Sequence, residues 1–443
     1  MIQVQNSPTH RLFRIIEENH RGRPVGIYSI CSANRFVLEA GMIQAKRDDS
    51  LFLVESTSNQ VNQFGGYTGQ TPAQFAATVR ELARSMEFPS ENIVFGGDHL
   101  GPQVWRKESA GSAMEKACTL VRGCVLAGYT KIHLDASMHL AGDPGDSDRP
   151  LADEIVSERA ATLCLVAEQA HKSLGSDSPA PLYVIGTEVP IPGGEQLGTE
   201  APRVTEVAGL EQTLRLTKQS FYSRGLHAAW ERVIAIVVQP GVEFGNNSVF
   251  AYHHLNAVPL ARFIEHSWHG VYEAHSTDYQ SRLALREMVK DHFAILKVGP
   301  WLTYAFREAV FALAAIEEEW LGARYGNQTS RIREELERAM LLDPSHWRSY
   351  YQGDERELAF SRKYSYSDRS RYYWPLASVE DSLKTLVSNL RAHPVPHSLL
   401  RQYLPKQSDA VEEGALLDDP VALIRYHVLQ VLAKYSFACG MQA

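Results

Sequence analysis

The chain lacks most of the marks that point a protein toward a specialised class. No apolar run reaches membrane-spanning length, which argues against a transmembrane helix. The first residues, MIQVQNSPTHRLFRIIEENHRGRP, are polar and mixed in charge, and contain no apolar signal core. The five cysteines, Cys31, Cys118, Cys124, Cys164 and Cys439, are odd in number and form no CxxC pair. Free thiols in a reducing cytoplasm are the simplest account of them. The net charge is −8 and the basic residues are scattered, so neither a nucleic-acid stripe nor a basic membrane helix is present. There is no internal repeat, no low-complexity linker and no GxxxxGK[ST] loop, and no glycine-rich segment opens a helix in nucleotide-binding style.

What the chain does have is a large apolar fraction, 44% of 443 residues, enough to bury one barrel and an addition. Eight short, β-branched apolar runs recur: VGIYSI, LFLVES, NIVFGG, KIHLD, LYVIGTE, RVIAIVVQ, GVYEA and FAILKV. Each is followed by a segment with helical periodicity. Thr71-Pro72 reads as an N-cap with proline at the first helical position. The helix after the third run ends at Gly128, and WLTYAFREAVFALAAIEEEW gives a long amphipathic helix. Eight βα units predict an α/β fold of the TIM (β/α)8 type over residues 1–322. A doubly wound sheet is the alternative, but the turn after its first strand would be SICSANRF, which is not glycine-rich. Residues 323–443 read as a C-terminal helical appendage packed on the barrel, built from RIREELERAM, VEDSLKTLVSNLRAH and PVALIRYHVLQVLAKYSFACG.

The chemistry of such a barrel is built at the carboxyl ends of its strands. Asp98-His99, Asp135, Glu188, Gln239, His275 and Asp278 all fall at or just after those ends, and Lys297 lies in the last strand. Two imidazoles and several carboxylates there suit a divalent metal beside a general acid/base. Each residue also has a plainer reading. Asp98 and Asp135 can cap the segments after them, His99 and His275 can be buried and hydrogen-bonded, and Glu188, or Glu195 on the same Pro/Gly-Gly loop, can be a salt-bridge partner. Gln239 can ligate weakly or bond a hydroxyl. Lys297 can bind phosphate, form a Schiff base or, the favoured reading, pair with a barrel carboxylate. Ser276, Thr277 and Asp278 suit an anion at a helix N-terminus, or merely cap that helix. Asn59, Gln60, Asn62 and Gln63 suit a polyhydroxylated ligand such as a sugar. Arg369 and Arg371, in YSYSDRSRYYWP, either reach a phosphate or pack the appendage on the barrel, with packing slightly favoured.

VESTSNQVNQFGGYTG, GGDHLGP, KIHLDAS, GTEVPIPGG, VVQPGVEF, YEAHSTDY and AILKVGP together resemble the GatZ/KbaZ family, as do SDRSRYYWP and QYLPKQ near the end. That family is linked to D-tagatose-1,6-bisphosphate aldolase and named for galactitol, tagatose and N-acetylgalactosamine catabolism in bacteria. Its members have been described as non-catalytic partners of a separate catalytic aldolase subunit. Some are labelled tagatose 6-phosphate kinases, and ketose 4-epimerase activity is attributed to relatives. A more distant similarity is to class II, metal-dependent aldolases. It implies that Asp98 is the catalytic acid/base, that His99 and His275 are zinc ligands, and that Ser276 opens a phosphate loop. It further implies a mobile glutamate at Glu188 or Glu195 and a last-strand lysine at Lys297. One departure is that Gln239-Pro240 stands where those enzymes place a third zinc-binding histidine, so the metal would need Glu188 or Gln239.

The resemblance therefore implies retro-aldol chemistry between C3 and C4 of a phosphorylated ketohexose, as epimerase or aldolase. The implied cofactor is a divalent metal, Zn²⁺ first, with Mn²⁺, Co²⁺ or Mg²⁺ as alternatives. A catalytic aldolase subunit is an expected partner and a homo-oligomer the expected assembly. A stabilising subunit with a vestigial site is the other function class. Kinase activity is not expected, for want of a nucleotide loop.

Overall fold

A strand that is apolar on both faces needs cover on both, which a parallel sheet gains by closing on itself inside a ring of helices. The chain does this. The computed structural model describes residues 7–146, 150–176, 178–186, 202–325 and 328–441. Eight parallel strands close into a barrel: β1 (Ile27–Ile30), β2 (Phe52–Thr57), β3 (Ile93–Leu100), β4 (Lys131–Leu134), β5 (Leu182–Ile185), β6 (Val233–Val237), β9 (Val271–Ala274) and β10 (Ile295–Val298). β1 closes the ring against β10, with Ser29 level with Lys297. Between β6 and β9 a small antiparallel hairpin, β7 (Glu243–Phe244) and β8 (Val249–Phe250), stands outside the barrel sheet. The eight apolar runs are the eight barrel strands.

Local signals place the helices. Thr71 and Gln74 form a capping box at the start of the helix Pro72–Ser85. Asn34 caps Arg35–Arg47 through its side-chain oxygen. The helix Pro8–His20 was not foreseen in the polar N-terminus. Only Leu12 and Ile16, four residues apart, form its fully buried apolar stripe, and they pack against Ile27, Leu53, Val94, Val184, Val271 and Ile295. This helix plugs the amino end of the barrel and leaves the carboxyl end as the side where a site can open.

After the last strand a single helix runs from Pro300 to Tyr325. The helices beyond it include Ile332–Leu342, Ala377–Ala392 and Pro420–Ala438, as the periodicity predicts. The last of these packs on Arg35–Arg47, Arg282–Lys290 and Pro300–Tyr325. It also reaches the barrel rim, where the Tyr435 hydroxyl donates to the Thr277 carbonyl at 2.9 Å. A buried ion pair, Arg307 to Asp368 at 3.0 Å, ties the long helix to the segment after it. No helix among the described residues is long and apolar enough to cross a membrane.

Candidate active site

Side chains alternate along a strand, so residues two apart share one face. In β2, β4, β9 and β10 that alternation carries Glu55, Lys131, Glu273 and Lys297 into the barrel interior, where all four are buried. Lys131 Nζ lies 2.7 Å from Glu55 Oε1 and 2.6 Å from Glu273 Oε2. Lys297 Nζ closes the ring, pairing with Glu55 Oε2 and standing 3.8 Å from Glu273 Oε1. Gly96 makes room for this layer, because a methyl group there would come within 2.5 Å of Glu55 Cγ. Each ammonium touches at least two carboxylates. That geometry is what a buried ion pair needs if it is to offset desolvation.

One layer higher stand Asp98, His99, His133, Asp135 and His275. Lys297 Nζ is 3.0 Å from Asp98 Oδ1. Burial opposes ionisation of Asp98, but Lys297, His99 and His133 outweigh it and hold the carboxyl well below its ordinary range. Lys297 is held ionised in turn: burial disfavours its charge, and Asp98 and the ring carboxylates more than restore it. His99 Nδ1 donates to Asp135 Oδ2 at 2.7 Å. Burial lowers the His99 pKa, but Asp98 and Asp135 raise it above the ordinary imidazole value. His275 behaves oppositely. Its burial outweighs the bond to Glu273 (3.1 Å) and brings its pKa to about 4, so it is a neutral imidazole at pH 7. The three imidazole rings face one another, with centroids 4.8 Å (His99–His275), 5.2 Å (His99–His133) and 5.3 Å (His133–His275) apart.

Backbone strain marks the same places. His99 has φ 47° and Ser276 has φ 52°, left-handed values that a non-glycine residue adopts only under constraint. Gly101 lets the end of β3 meet β4, since a Cβ there would collide with the Asp135 carbonyl oxygen.

The fit of a divalent cation can be tested on these atoms. Ligand atoms of Asp98, His133, Glu273 and His275 all lie within 4.8 Å of one another, and all four residues are buried. His133 Nδ1 lies 3.3 Å from the His99 amide nitrogen and 3.2 Å from Asp98 Oδ1. Its Nε2 is buried with no hydrogen-bond partner among the described residues. Four buried carboxylates, Glu55, Asp98, Asp135 and Glu273, face only two ammonium groups, Lys131 and Lys297. The carboxylates outnumber the ammonium groups by two, a negative excess that the raised His99 imidazole offsets in part and a divalent cation would offset further. The residues fit such an ion.

The sequence-predicted residues divide sharply. Asp98, His99 and His275 line the mouth above this layer, together with Asn59, Gln60, Ser276, Asp278, Lys297 and Arg371. Asp135 stands behind His99 as its orienting carboxylate. Lys297 pairs with barrel carboxylates, as the favoured reading has it, and their charge, which raises its pKa, weighs against a Schiff base.

Other expectations need correction. Gln239 is not a ligand: its side-chain oxygen accepts from the Gly241 and Val242 amides and shapes the turn after β6. Asn62 is spent inside its own loop, accepting from Phe64 and Gly66 and donating to Ser58, while Gln63 donates to the Lys116 carbonyl. Thr277 is buried against the Lys297 carbonyl and Tyr435. Ser276, Thr277 and Asp278 cap no helix directly after them, because Ser281 caps Arg282–Lys290. Asp278 instead accepts from the amides of Gly299 and Trp301, at the start of the long helix. Arg369 lies behind the mouth with its guanidinium on the Tyr350 ring. Glu188 and Glu195 lie outside the described residues.

Glu55, Lys131, His133 and Glu273 were missed. The signal was present as period two: Lys131, His133 and Asp135 in KIHLD, and Glu273 and His275 in YEAH, share one inward face. His133 supplies the third imidazole that Gln239 does not.

Three comparisons bear on this site. A family profile described as D-tagatose-1,6-bisphosphate aldolase subunit GatZ/KbaZ-like matches residues 12–440. Two curated relatives from Escherichia coli, strains SMS-3-5 / SECEC and K12, are both D-tagatose-1,6-bisphosphate aldolase subunit GatZ. Each is 46% identical over 426 residues, covering 96% of this chain and 99% of its own. A crystal structure of "a probable tagatose 6 phosphate kinase" from Sinorhizobium meliloti 1021 superposes with a TM-score of 0.83 at 41% identity. It covers 94% of this chain and all (100%) of that one.

Proposed function

Because the chain belongs to the GatZ/KbaZ-like family of D-tagatose-1,6-bisphosphate aldolase subunits, we propose that its barrel mouth breaks and remakes the C3–C4 bond of a ketohexose phosphate. The activity is that of a D-tagatose 6-phosphate 4-epimerase or of a D-tagatose-1,6-bisphosphate aldolase component. The observation that carries this reading is Asp98, held ionised by Lys297 at 3.0 Å and set beside three imidazoles.

In the reaction the Asp98 carboxylate accepts the proton of the C4 hydroxyl. The C4–O electrons form the aldehyde carbonyl, the C3–C4 bond breaks, and its electron pair passes to the C2–C3 unit as an enediolate. Re-addition of C3 to the same aldehyde face restores the substrate. Re-addition after the aldehyde turns gives the C4 epimer, and escape of the aldehyde gives aldolase cleavage. Asp98 returns the proton to the C4 oxygen in either re-addition; after escape of the aldehyde the enediolate takes a proton at C3 to give the ketone product, and Asp98 gives up its own proton, directly or through solvent. Lys297 keeps Asp98 anionic between turnovers, and Asp135 fixes the His99 ring. His133, His275 and Glu273 would hold the divalent ion, Zn²⁺ first among Mn²⁺, Co²⁺ and Mg²⁺, with the His99 ring beside them and Asp98 left to take the proton. Bound there, such an ion supplies positive charge that stabilises the negative charge developing on the substrate oxygens. Asn59 and Ser276 face the same space as candidate contacts for phosphate and hydroxyl groups, with Ser276 already donating to Glu243 at 3.0 Å. Gln60 lines that space, but its side chain is already used, accepting from the Thr57 amide and donating to the Cys31 carbonyl.

A non-catalytic stabilising subunit is the second reading, favoured by the word "subunit" in the relatives' name. Buried carboxylates and histidines with strained backbone at His99 and Ser276 argue for a working site instead, since a vestigial one has no reason to keep them. Phosphoryl transfer has no nucleotide loop in the sequence to support it.

The deciding experiment is product analysis of the purified chain given tagatose 6-phosphate or tagatose 1,6-bisphosphate, without a partner, with Zn²⁺, Mn²⁺, Co²⁺ or Mg²⁺ added. Conversion to fructose 6-phosphate or to triose products, abolished by a chelator, is the expected result. A chain inert under all four metals that nonetheless prolongs the activity of a separate aldolase subunit would establish the scaffold reading.

A further inference from the structure

The layer at the bottom of the mouth is rich in negative charge, whereas one wall has the opposite character. That wall comes from the C-terminal extension, where the short 3-10 turn Arg369–Tyr372 is laid over the barrel rim. Arg371 and Tyr372 line the mouth together with Asn59, Gln60 and Tyr67.

Neither arginine of this turn has a carboxylate partner among the described residues. Arg371 donates to the Ser367 carbonyl, to the Asp368 carbonyl at 3.1 Å and to the Tyr372 hydroxyl at 3.0 Å. Arg369 is 2% exposed. It donates to the His346 carbonyl at 3.3 Å, and its Nε and Nη2 are buried with no hydrogen-bond partner among the described residues. The one acid in the turn, Asp368, accepts from Arg307 at 3.0 Å and from Ser370 at 2.8 Å, both through Oδ1, while its Oδ2 is buried with no hydrogen-bond partner among the described residues.

Two guanidinium charges therefore stand side by side with only neutral hydrogen-bond acceptors, although the Asp368 and Asp278 carboxylates act on Arg371 electrostatically from further off. Tyr372 lies between them, braced by His346, whose ring stacks on it at 4.5 Å and 11°, and by Tyr67, edge-on at 4.7 Å. Burial opposes ionisation of the Tyr372 phenol, yet the pull of Arg371 and Arg369 brings its pKa below the ordinary value. Arg369 is buried and Arg371 half-buried, and holding a cation away from water without an anionic partner is costly. A group carrying about two negative charges would satisfy both, and a phosphate monoester at neutral pH carries about that charge, with three acceptor oxygens.

We infer that the Arg371–Tyr372 wall is a phosphate subsite, with Arg369 as the buried charge behind it, that seats one phosphate monoester of a ketohexose phosphate. Its hydroxyls would then run past Asn59 toward the histidines. This inference rests on the proposed function and adds to it. It assigns phosphate recognition to the extension, separately from the Ser276 loop, and makes the extension part of the substrate site. In these terms the mouth is two-signed: an anionic layer that takes a divalent cation and a cationic wall that takes a dianion.

The test is calorimetric titration of the full chain with D-tagatose 6-phosphate and, separately, with unphosphorylated D-tagatose. Arg371→Gln should weaken the phosphate ester by about 10- to 100-fold, the range expected for hydrogen bonds to a charged group. Its affinity for unphosphorylated tagatose should be unchanged. Arg371→Lys keeps the charge but loses the planar fork. It should fall between the two, which keeps the test sharp if the glutamine variant folds poorly. Inorganic phosphate should compete with the ester in the parent chain and lose that competition in Arg371→Gln. Parent-like affinity for the ester in both variants, or an equal loss for sugar and sugar phosphate, would overturn the inference. A parent chain that binds no ketohexose phosphate defeats the proposed function as well. A parent chain that binds it, with both variants unaffected, defeats only the role of Arg371.

Discussion

Lys297 Nζ stands 3.0 Å from Asp98 Oδ1 and is also paired with Glu55, so a single buried ammonium joins the structural ring of the barrel to the carboxylate proposed to move a proton. Function and stability meet at that atom, and variants on its two sides should fail in different ways.

On the functional side, Asp98→Asn keeps the size of the group and removes its capacity to accept a proton. Turnover should fall by about 10²- to 10⁴-fold, the usual worth of a positioned general base. The thermal midpoint should fall as well, because the substitution removes one of the carboxylates paired with the buried Lys297. Steady-state rates on tagatose 6-phosphate read this directly, and unchanged turnover would make Asp98 a structural residue.

On the structural side, Lys131 is wholly buried between Glu55 and Glu273. Lys131→Met leaves two buried carboxylates to share Lys297. Breaking a buried ion pair from one side typically costs about 3–5 kcal/mol, so urea unfolding should shift by that order. A shift below about 1 kcal/mol would mean that the ring relaxes easily and contributes little to the fold.

The imidazoles make a separate prediction. His133→Ala and His275→Ala should each lower bound divalent metal sharply in elemental analysis of dialysed protein, with His99→Ala also impaired. Losing one ligand should remove several kcal/mol from an affinity of the size seen in protein zinc sites. Full occupancy in the His133 variant would show that the partnerless nitrogen serves some other end.

Asp278 gives a pH signature. Burial pushes its carboxyl up to about 6, against the opposing pull of the Trp301 and Gly299 amides, whereas an unfolded aspartate titrates near 3.9. Between those values the folded chain keeps a proton that the unfolded chain releases. The stability this group contributes is therefore full below about pH 4 and is lost as pH rises through 6. Asp278→Asn retains the acceptor oxygen without the charge. It should be more stable than the parent at pH 8, by up to about 3 kcal/mol, and no different at pH 4. Parallel stability curves from pH 4 to 8 would contradict this.

Much of the architecture was legible because strands buried on both faces have little choice of composition: β1 to β6, β9 and β10 are the apolar runs VGIYSI to FAILKV. Asp98, His99 and His275 stood out because they interrupt or end such runs. Lys131, Glu55 and Glu273 were hidden for the opposite reason: they lie within the runs, where a charge looks like an irregularity until period two is applied to the inward face. Gln239 misled because position at a strand end does not reveal that an amide is already used by its own turn. Arg371 could not be placed from sequence, because its approach to the mouth depends on how the extension folds back, through contacts such as Arg307 with Asp368, 61 residues apart.

The plug formed by Leu12 and Ile16 makes the barrel a cul-de-sac. Whatever enters the mouth must leave by the same door, and a bond broken at its base yields two fragments that queue to depart. The outer fragment can go at once, whereas the inner one waits behind it. On the proposed function, remaking the bond and releasing two products would then compete as a race between turning and escape. The residues that set the pace of that race stand at the door, away from the atoms that do the chemistry.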